Sequence, residues 1–411
     1  MINIAVLGYG TVGSGVVEVI NKNHNSINKR AGEEINIKYV LDLRDFPGDP
    51  VTEILVHDYN IILNDDEVEI IVEVMGGINP ALQFTKDALL AGKSVCTSNK
   101  ELVAAHGAEL LAIAKEKGVN FLFEASVGGG IPIIRPLNQS LTADEITEIT
   151  GILNGTTNYI LTKMTEDGSD FDTVLKTAQE KGYAERNPEA DVEGYDACRK
   201  IAILASLAYG KQVDYEDIYT EGITAITKQD IAYSKKMGTS IKLLGTSRII
   251  DGKLYALVAP FMIGEDHPLK NVNGVFNGIY VDGNMLGGTM FYGKGAGKLP
   301  TASAVVSDVI DAAKHKGTNI MTIWDKNKVV LGDIKNYRSN YFVRISIEGT
   351  DEDAIARVKA AFPEAVILDS ADVEEFVFMT GVVSQEEFEN KIAGFHVISR
   401  IRVTDDVNLN K

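Results

Sequence analysis

Cysteine is nearly missing from this chain of 411 residues, where Cys96 and Cys198 are the whole supply. Neither lies in a CxxC or His-rich setting, which argues against a zinc site and a disulfide framework and for a reduced, cytoplasmic protein. Histidine is scarce as well. His24, His57, His106, His267, His315 and His396 form no metal-spaced pair and belong to no motif. No apolar run reaches the roughly 18 residues that a bilayer span requires. The opening "MINIAVLGYG" has no basic segment ahead of its apolar run, so it reads as a strand and not as a signal peptide. Positive charge is in deficit too. Forty Lys and Arg against 58 Asp and Glu leave a net charge of −18, and no basic stripe offsets it. Nucleic acid and anionic membrane are therefore excluded as expected partners. What is present is an ordinary globular composition over a length that suggests about two or three domains.

The first 126 residues alternate strand-like and helix-like text. Apolar runs at 3–7, 35–44, 68–77, 94–99 and 120–126 are separated, from the third onward, by helical stretches at 80–92 and 100–118. Alternation of this kind predicts an α/β fold with a doubly wound, Rossmann-type parallel sheet. From about residue 131 the text turns into an α+β mixture, with β-rich runs at 253–263, 274–283 and 287–297 and a small-residue helix at 301–316. A polar stretch at 324–340 reads as a linker. Beyond it, strands at 341–349, 365–369, 373–381 and 397–405 with helices at 351–362 and 384–395 spell βαββαβ, a ferredoxin-like module.

Gly8-Tyr9-Gly10-Thr11-Val12-Gly13 is a GxGxxG turn between the first strand and a helix. Such glycines permit a tight turn and close backbone approach, and the helix N-terminus offers its free N–H groups to a pyrophosphate. A merely structural glycine turn is the alternative, and the strand–helix context counts against it. After the second strand, "LDLRDF" holds Asp42, Arg44 and Asp45. An acid there suits the ribose hydroxyls of NAD and the arginine favours the extra phosphate of NADP, while a solvated charge run would look the same. Met75-Gly76-Gly77, Thr97-Ser98-Asn99-Lys100 and Glu124-Ala125-Ser126 each end a predicted strand, where open parallel sheets place their ligand crevice. Lys100 opposes the dipole of the helix it begins, which invites a functional explanation, an exposed lysine being the alternative.

Three further stretches are chemically marked. "EASVGGGIP" (124–132) sets carbonyls beside a carboxylate, which suits a hard cation bound by oxygen; a hinge between domains is the other reading, and both can hold. In "NGTTNYI", Asn154 and Thr156 can cap a helix or bind a ligand. "DVEGYDACRKIAILASLAYG" (191–210) puts Lys200 one helical turn beyond Asp196 at the mouth of an apolar run. A simple i,i+4 ion pair accounts for those two residues. It does not account for Glu185, Asp191 and Glu193 crowding the same entry. Carboxylates in a cluster can bind a substrate ammonium, and a buried lysine beside them can move a proton. With no histidine in a motif, lysine is the best remaining acid/base.

These pieces, in this order, resemble homoserine dehydrogenases. The matching text is GxGxVG at 8–13, "TSNKE" at 97–101, "EASVGGGIPII" at 124–134, "NGTTNYIL" at 154–161, "GYAERNPEADVEGYDACRK" at 182–200 and "GKGAGKLPTASAVVSD" at 293–308. The resemblance covers about residues 1–320. It implies NAD- or NADP-dependent interconversion of L-homoserine and L-aspartate 4-semialdehyde, on the route to threonine and methionine. Residues 1–130, with a return at about 298–320, would bind the cofactor. Residues 131–297 would bind substrate and dimerise, and 341–411 would form an ACT-like module. By position Lys200 would be the catalytic acid/base, with Lys100 in the site and Asp196 holding the substrate. Glu185, Asp191, Asn154 and Thr156 fall to substrate binding. The cofactor set is Gly8, Gly10, Thr11, Val12, Gly13, Arg44, Gly76, Thr97, Ser98, Lys100, Gly295 and Gly297. A sodium-like cation would sit on Glu124 and the carbonyls of Val127, Gly129 and Ile131. A homodimer or homotetramer is implied, with threonine a possible effector. The tail departs from the family there: the acidic-x-Pro-Gly-Val signature is replaced by "GTDEDAIARV", which leaves amino-acid sensing and a structural or oligomerising role both open. Another amino-acid or semialdehyde dehydrogenase on the same fold, or a dinucleotide-sensing regulator without catalysis, is the rival reading.

Overall fold

Strands of a parallel sheet covered on both faces must be apolar throughout, and β1 (Ile2–Leu7) is buried at every position. It is joined by β2 (Ile35–Leu41), β3 (Leu55–Val56), β4 (Val68–Glu73), β5 (Ser94–Thr97) and β6 (Phe121–Leu122), all parallel, in the order β3-β2-β1-β4-β5-β6. The order reverses between β1 and β4, the switch point beyond whose carboxyl ends such sheets bind dinucleotides. The helices α1 (Thr11–Lys22), α2 (His24–Ala31), α3 (Tyr59–Leu63), α4 (Ala81–Leu90) and α5 (Lys100–Lys117) connect these strands. Of these, α2 is short and largely polar and α3 has only five residues, so periodicity alone does not announce them. The computed structural model describes residues 1–320, 323–347, 350–370 and 374–407. They fall into two compact units, one of Met1–Ile146, Arg199–Glu216 and Asp282–Val329, the other of Thr147–Cys198, Asp217–Val281 and Val330–Lys411.

Within the first unit the helix Lys298–Lys314 lies against α1. A Cβ on Gly15 would stand 2.9 Å from the Lys298 carbonyl oxygen and 3.0 Å from the Ala302 Cβ, so this crossing depends on glycine. Ala302, Val305, Val306 and Val309 share one apolar cluster with Ile2, Ile4 and Val6 of β1. The strand expected over 120–126 stops at Leu122, and Glu124–Ser126 forms a single 3₁₀ turn. The chain does pass from the first unit to the second within the expected linker at 324–340, but that stretch is anchored. It opens on Trp324, buried against Gly107 of α5, edge-on to Phe123 at 6.2 Å and donating its indole N–H to Gln212 at 3.0 Å. Asp325–Lys328 then pairs with Lys211–Gln212. One tryptophan among polar neighbours is too faint a pattern to announce an anchored segment.

The second unit is a mixed sheet. Its strands run in the spatial order Phe276–Gly283, Ile146–Ile152, Ser240–Ile250, Lys253–Ile263, Val397–Val403, Arg338–Ser346, Glu375–Met379 and Val366–Leu368. The last four, with helices Asp351–Ala361 and Gln385–Ile392, form the expected βαββαβ, the first strand lying between the last and the third. They do not make a detached sheet: Phe261 and Met262 pair in parallel with Arg402 and Val403. Glu348, Gly349 and Val373, at the ends of two expected strands, lie outside the described residues. Trp324→Ala removes the anchor of the 323–329 segment and is expected to cost about 3–5 kcal/mol, read as a lower urea midpoint.

Candidate active site

At the switch point the glycine turn is dictated by backbone contact. Gly8 takes φ +98°, and a Cβ on Gly13 would sit 1.8 Å from the Gly8 carbonyl oxygen. Gly10, which caps α1, faces open space, as do Gly76 and Gly77 after β4. Thr11 and Val12 begin α1, whose first turn holds no acid, so its N–H groups meet no competing carboxylate. An open glycine floor in front of a helix N-terminus fits a pyrophosphate. At the end of β2, Asp42 accepts the Tyr9 N–H at 2.8 Å and three N–H groups of Arg44 at 2.9–3.0 Å. Its pairing with Arg44 holds the carboxyl below the usual carboxylate range. Arg44 is mostly exposed and lies over the Phe46 ring at 5.2 Å.

β4 ends on a buried carboxylate that strand patterning does not flag. Glu73, the last residue of β4, accepts the Thr97 hydroxyl at 2.7 Å and the Met75 N–H at 2.8 Å. Burial pushes its carboxyl up despite these bonds. The Thr97 hydroxyl is thereby turned to Glu73 and also accepts the Asn99 N–H. Asn99 caps α5 through the Leu102 N–H and donates to the Gly77 carbonyl at 2.6 Å. Gly76, Thr97, Ser98 and the half-buried Lys100 are thus brought to one place at the ends of β4 and β5.

Glu124 departs from its expected setting. Its carboxylate accepts the N–H groups of Ile133, Ile134 and Arg135 at 2.6–2.8 Å, capping the turn that follows the glycine triplet. Its own N–H donates to Asp308, which pairs with Arg135 at 2.6 Å, while Arg135 also reaches Asp311 at 2.8 Å. Burial and the Glu124 charge raise the Asp308 carboxyl against the pull of Arg135. The triplet itself is forced by proximity: a Cβ on Gly129 would lie 2.3 Å from the Gly295 carbonyl oxygen, and the Gly130 N–H donates to Lys294. Gly297, at φ +118°, caps the helix that follows. Among the described residues no three His, Cys, Asp or Glu side chains gather as a metal site. The main-chain oxygens of Val127, Gly129 and Ile131, expected to hold a cation, are donors of the hard type that a sodium-like ion takes.

In the second unit Asn154 caps the helix Gly155–Asp167 with its carbonyl and spends its amide on two acids, Asp191 at 2.7 Å and Asp196 at 2.9 Å. Thr156 donates to the Tyr183 carbonyl and so ties down the 181–188 loop rather than facing the acids. Glu185 is exposed in that loop. Lys200, in the part of the helix Tyr195–Tyr209 that belongs to the first unit, is buried one turn beyond Asp196 along the chain.

Two family models match in tandem, the homoserine dehydrogenase NAD-binding domain over 8–124 and the homoserine dehydrogenase domain over 132–310. A homoserine dehydrogenase of Bacillus subtilis is 45% identical over 76% of this chain and 73% of its own, and one of Synechocystis is 47% identical over 79% and 75%. A crystal structure of a homoserine dehydrogenase from Thiobacillus denitrificans superimposes with a TM-score of 0.89 at 35% identity, over 98% of both chains. The chain belongs to the homoserine dehydrogenase family.

It is an NAD(P)-dependent oxidoreductase acting on a CH–OH group, and its N-terminal sheet is the NAD(P)-binding fold of that family. A hyperthermophilic archaeal homoserine dehydrogenase mutant, 30% identical over 76% of this chain and 97% of its own with a TM-score of 0.65, was solved in complex with NADPH. Among the described residues no helix is long and apolar enough to cross a membrane. Glu73, Arg135 and Asp308 are the site-shaping residues that sequence reasoning missed. The one available signal was an acid inside or just after an apolar run, at Glu73 and Asp308. Gly13→Ala is expected to weaken NAD(P)H binding at least tenfold, about 1.4 kcal/mol, in a fluorescence titration with unchanged circular dichroism. Arg135→Met strands Asp308 in the interior and is expected to cost roughly 3–5 kcal/mol in chemical denaturation.

Proposed function

We propose that the chain interconverts L-homoserine and L-aspartate 4-semialdehyde, with Asp196 and Asp191 holding the amino-acid end and Lys200 serving the C4 oxygen. What supports the reading most is one arrangement: Asn154 clamps two acids together, and a buried lysine follows one of them by a single helical turn. A nicotinamide, when bound, supplies the hydride acceptor or donor. As hydride leaves C4 of homoserine, a neutral Lys200 amine takes the hydroxyl proton; in the reverse direction its ammonium gives that proton to the aldehyde oxygen. Lys100, at the start of α5, is the second cation for the oxygen or for the substrate carboxylate. Glu185 closes over the amino group from its exposed loop, and Thr156 keeps that loop in reach.

NADP is the favoured cofactor in this reading. The Asp42 carboxylate already accepts four N–H groups and has little left for ribose hydroxyls, whereas the exposed Arg44 can also meet a phosphate. Gly295 and Gly297 border the bound cofactor. A sodium-like cation on Val127, Gly129 and Ile131, neutralised by the nearby Glu124 charge, stiffens the glycine loop. Residues 1–130 with 298–320 serve the cofactor, 131–297 the substrate and the dimer or tetramer contact, and 341–411 act as an ACT-like module with threonine as a candidate effector. Two buried thiols outside any disulfide agree with a cytoplasmic enzyme on the route to threonine and methionine.

Oxidation of NADPH or NADH with aspartate semialdehyde, with and without threonine, tests the whole reading; no turnover despite cofactor binding sinks it. Lys200→Ala is expected to lower kcat by roughly 10²–10⁴-fold with a much smaller change in KM. Arg44→Ala is expected to lower kcat/KM for NADPH at least tenfold, about 1.4 kcal/mol, while sparing NADH.

A further inference from the structure

Arg402 is a charge buried far from solvent in the C-terminal strand Val397–Val403, 4% exposed. It donates to Glu221 at 2.8 Å and to the Gln385 carbonyl oxygen at 3.0 Å, and its guanidinium lies 4.9 Å from the Tyr219 ring centre. Its Nε has no acceptor. An interior ion pair is weak evidence for stability, because an apolar residue of the same volume often serves as well. The pair is better explained by what Glu221 is attached to.

Glu221 is held on two sides, its N–H donating to the Val258 carbonyl and its carboxylate accepting the Tyr219 hydroxyl at 3.0 Å. The next two residues lie directly on the turn that carries the acids. A Cβ on Gly222 would be 2.3 Å from the Val192 carbonyl oxygen and 2.6 Å from the Glu193 Cα, so backbone meets backbone there. The Ile223 N–H donates to that same Val192 carbonyl at 2.8 Å. On the other side Gly194, at φ +84°, would bring a Cβ to 3.2 Å from Thr220. The turn 192–194 is thus gripped by 220–223, with Asp191 just before it and Asp196 just after. At Gly222 the closest contacts are backbone on backbone, which leaves little slack to absorb a movement of Glu221.

We propose that the Arg402–Glu221 pair is a positioning device for the acidic turn, through which the C-terminal strand sets affinity for the amino-acid end of the substrate. The proposal rests on the reading of Asp191 and Asp196 as substrate ligands, and it needs no effector bound to the tail.

Steady-state kinetics of the full chain with homoserine and NADP test it, with thermal melts to confirm folding. Arg402→Met and the milder Glu221→Gln are expected to raise the homoserine KM about tenfold, or 1.4 kcal/mol, with the cofactor KM and kcat little changed. Arg402→Lys should recover part of the loss. The double variant Arg402→Met/Glu221→Gln should be no worse than the worse single one, since the two groups act as a unit. Arg344→Met is the control: Arg344 is equally buried and binds Asp230 and Glu375 in the same unit without touching the turn. It should lower the melting temperature and leave the homoserine KM in place. An unchanged homoserine KM in Glu221→Gln and Arg402→Met overturns the proposal, and so does an equal rise in Arg344→Met or in the cofactor KM. Asp191→Asn separates the two levels. If it raises the homoserine KM while the Arg402 variants do not, the positioning role falls and the substrate reading stands. If it leaves that KM untouched, the substrate reading itself falls.

Discussion

Buried carboxylates that collect main-chain N–H groups are the fixed points of the first unit. Glu124 accepts three consecutive N–H groups of residues 133–135, and Glu73 gathers the loops after β4 and β5. A carboxyl taken out of water must be compensated by donors at close range. Once so compensated it can scarcely be displaced, and the loops it holds become as rigid as the strands they follow. Arg135 extends this to the helix Lys298–Lys314 through Asp308 and Asp311, so segments more than 170 residues apart share one network. The glycines of these loops then need no support of their own; the carboxylates that hold the loops supply it.

Much of that sheet is legible in the amino-acid string because its signals are local. GxGxxG sits between a strand and a helix, Asn99 stands where a helix must be capped, and the βαββαβ tail alternates its periods within a few residues. Other features leave no local trace. Trp324 looks like an isolated aromatic in a polar stretch until Gly107 is found beneath it. Glu73 ends an apolar strand as any solvated acid might. Glu124 stands beside exposed carbonyls in the string, and nothing local shows that its side chain turns to N–H groups nine to eleven residues ahead. Arg135 with Asp308 and Glu221 with Arg402 are separated by 173 and 181 residues, beyond the reach of any periodicity.

The second unit solves a different problem. Its acids Asp191 and Asp196 stand close together, although like charges repel. Asn154 answers with one amide that donates to both, and it is itself locked by capping the helix Gly155–Asp167. Cap, amide and paired acids thus form one joint, with Gly222 admitting neighbouring backbone where no side chain fits.

The first unit is also discontinuous. The chain leaves it after Ile146 and returns at Arg199–Glu216 and Asp282–Val329. On a ribosome adding about 5–20 residues per second, Arg135 emerges roughly 10–35 s before Asp308. Through that interval the newborn sheet lacks its last covering helix, and Ile4 and Val6 lack the alanines and valines that will seal them. The dinucleotide fold, encoded first, is finished nearly last, and for those seconds its bare flank is what a chaperone would meet.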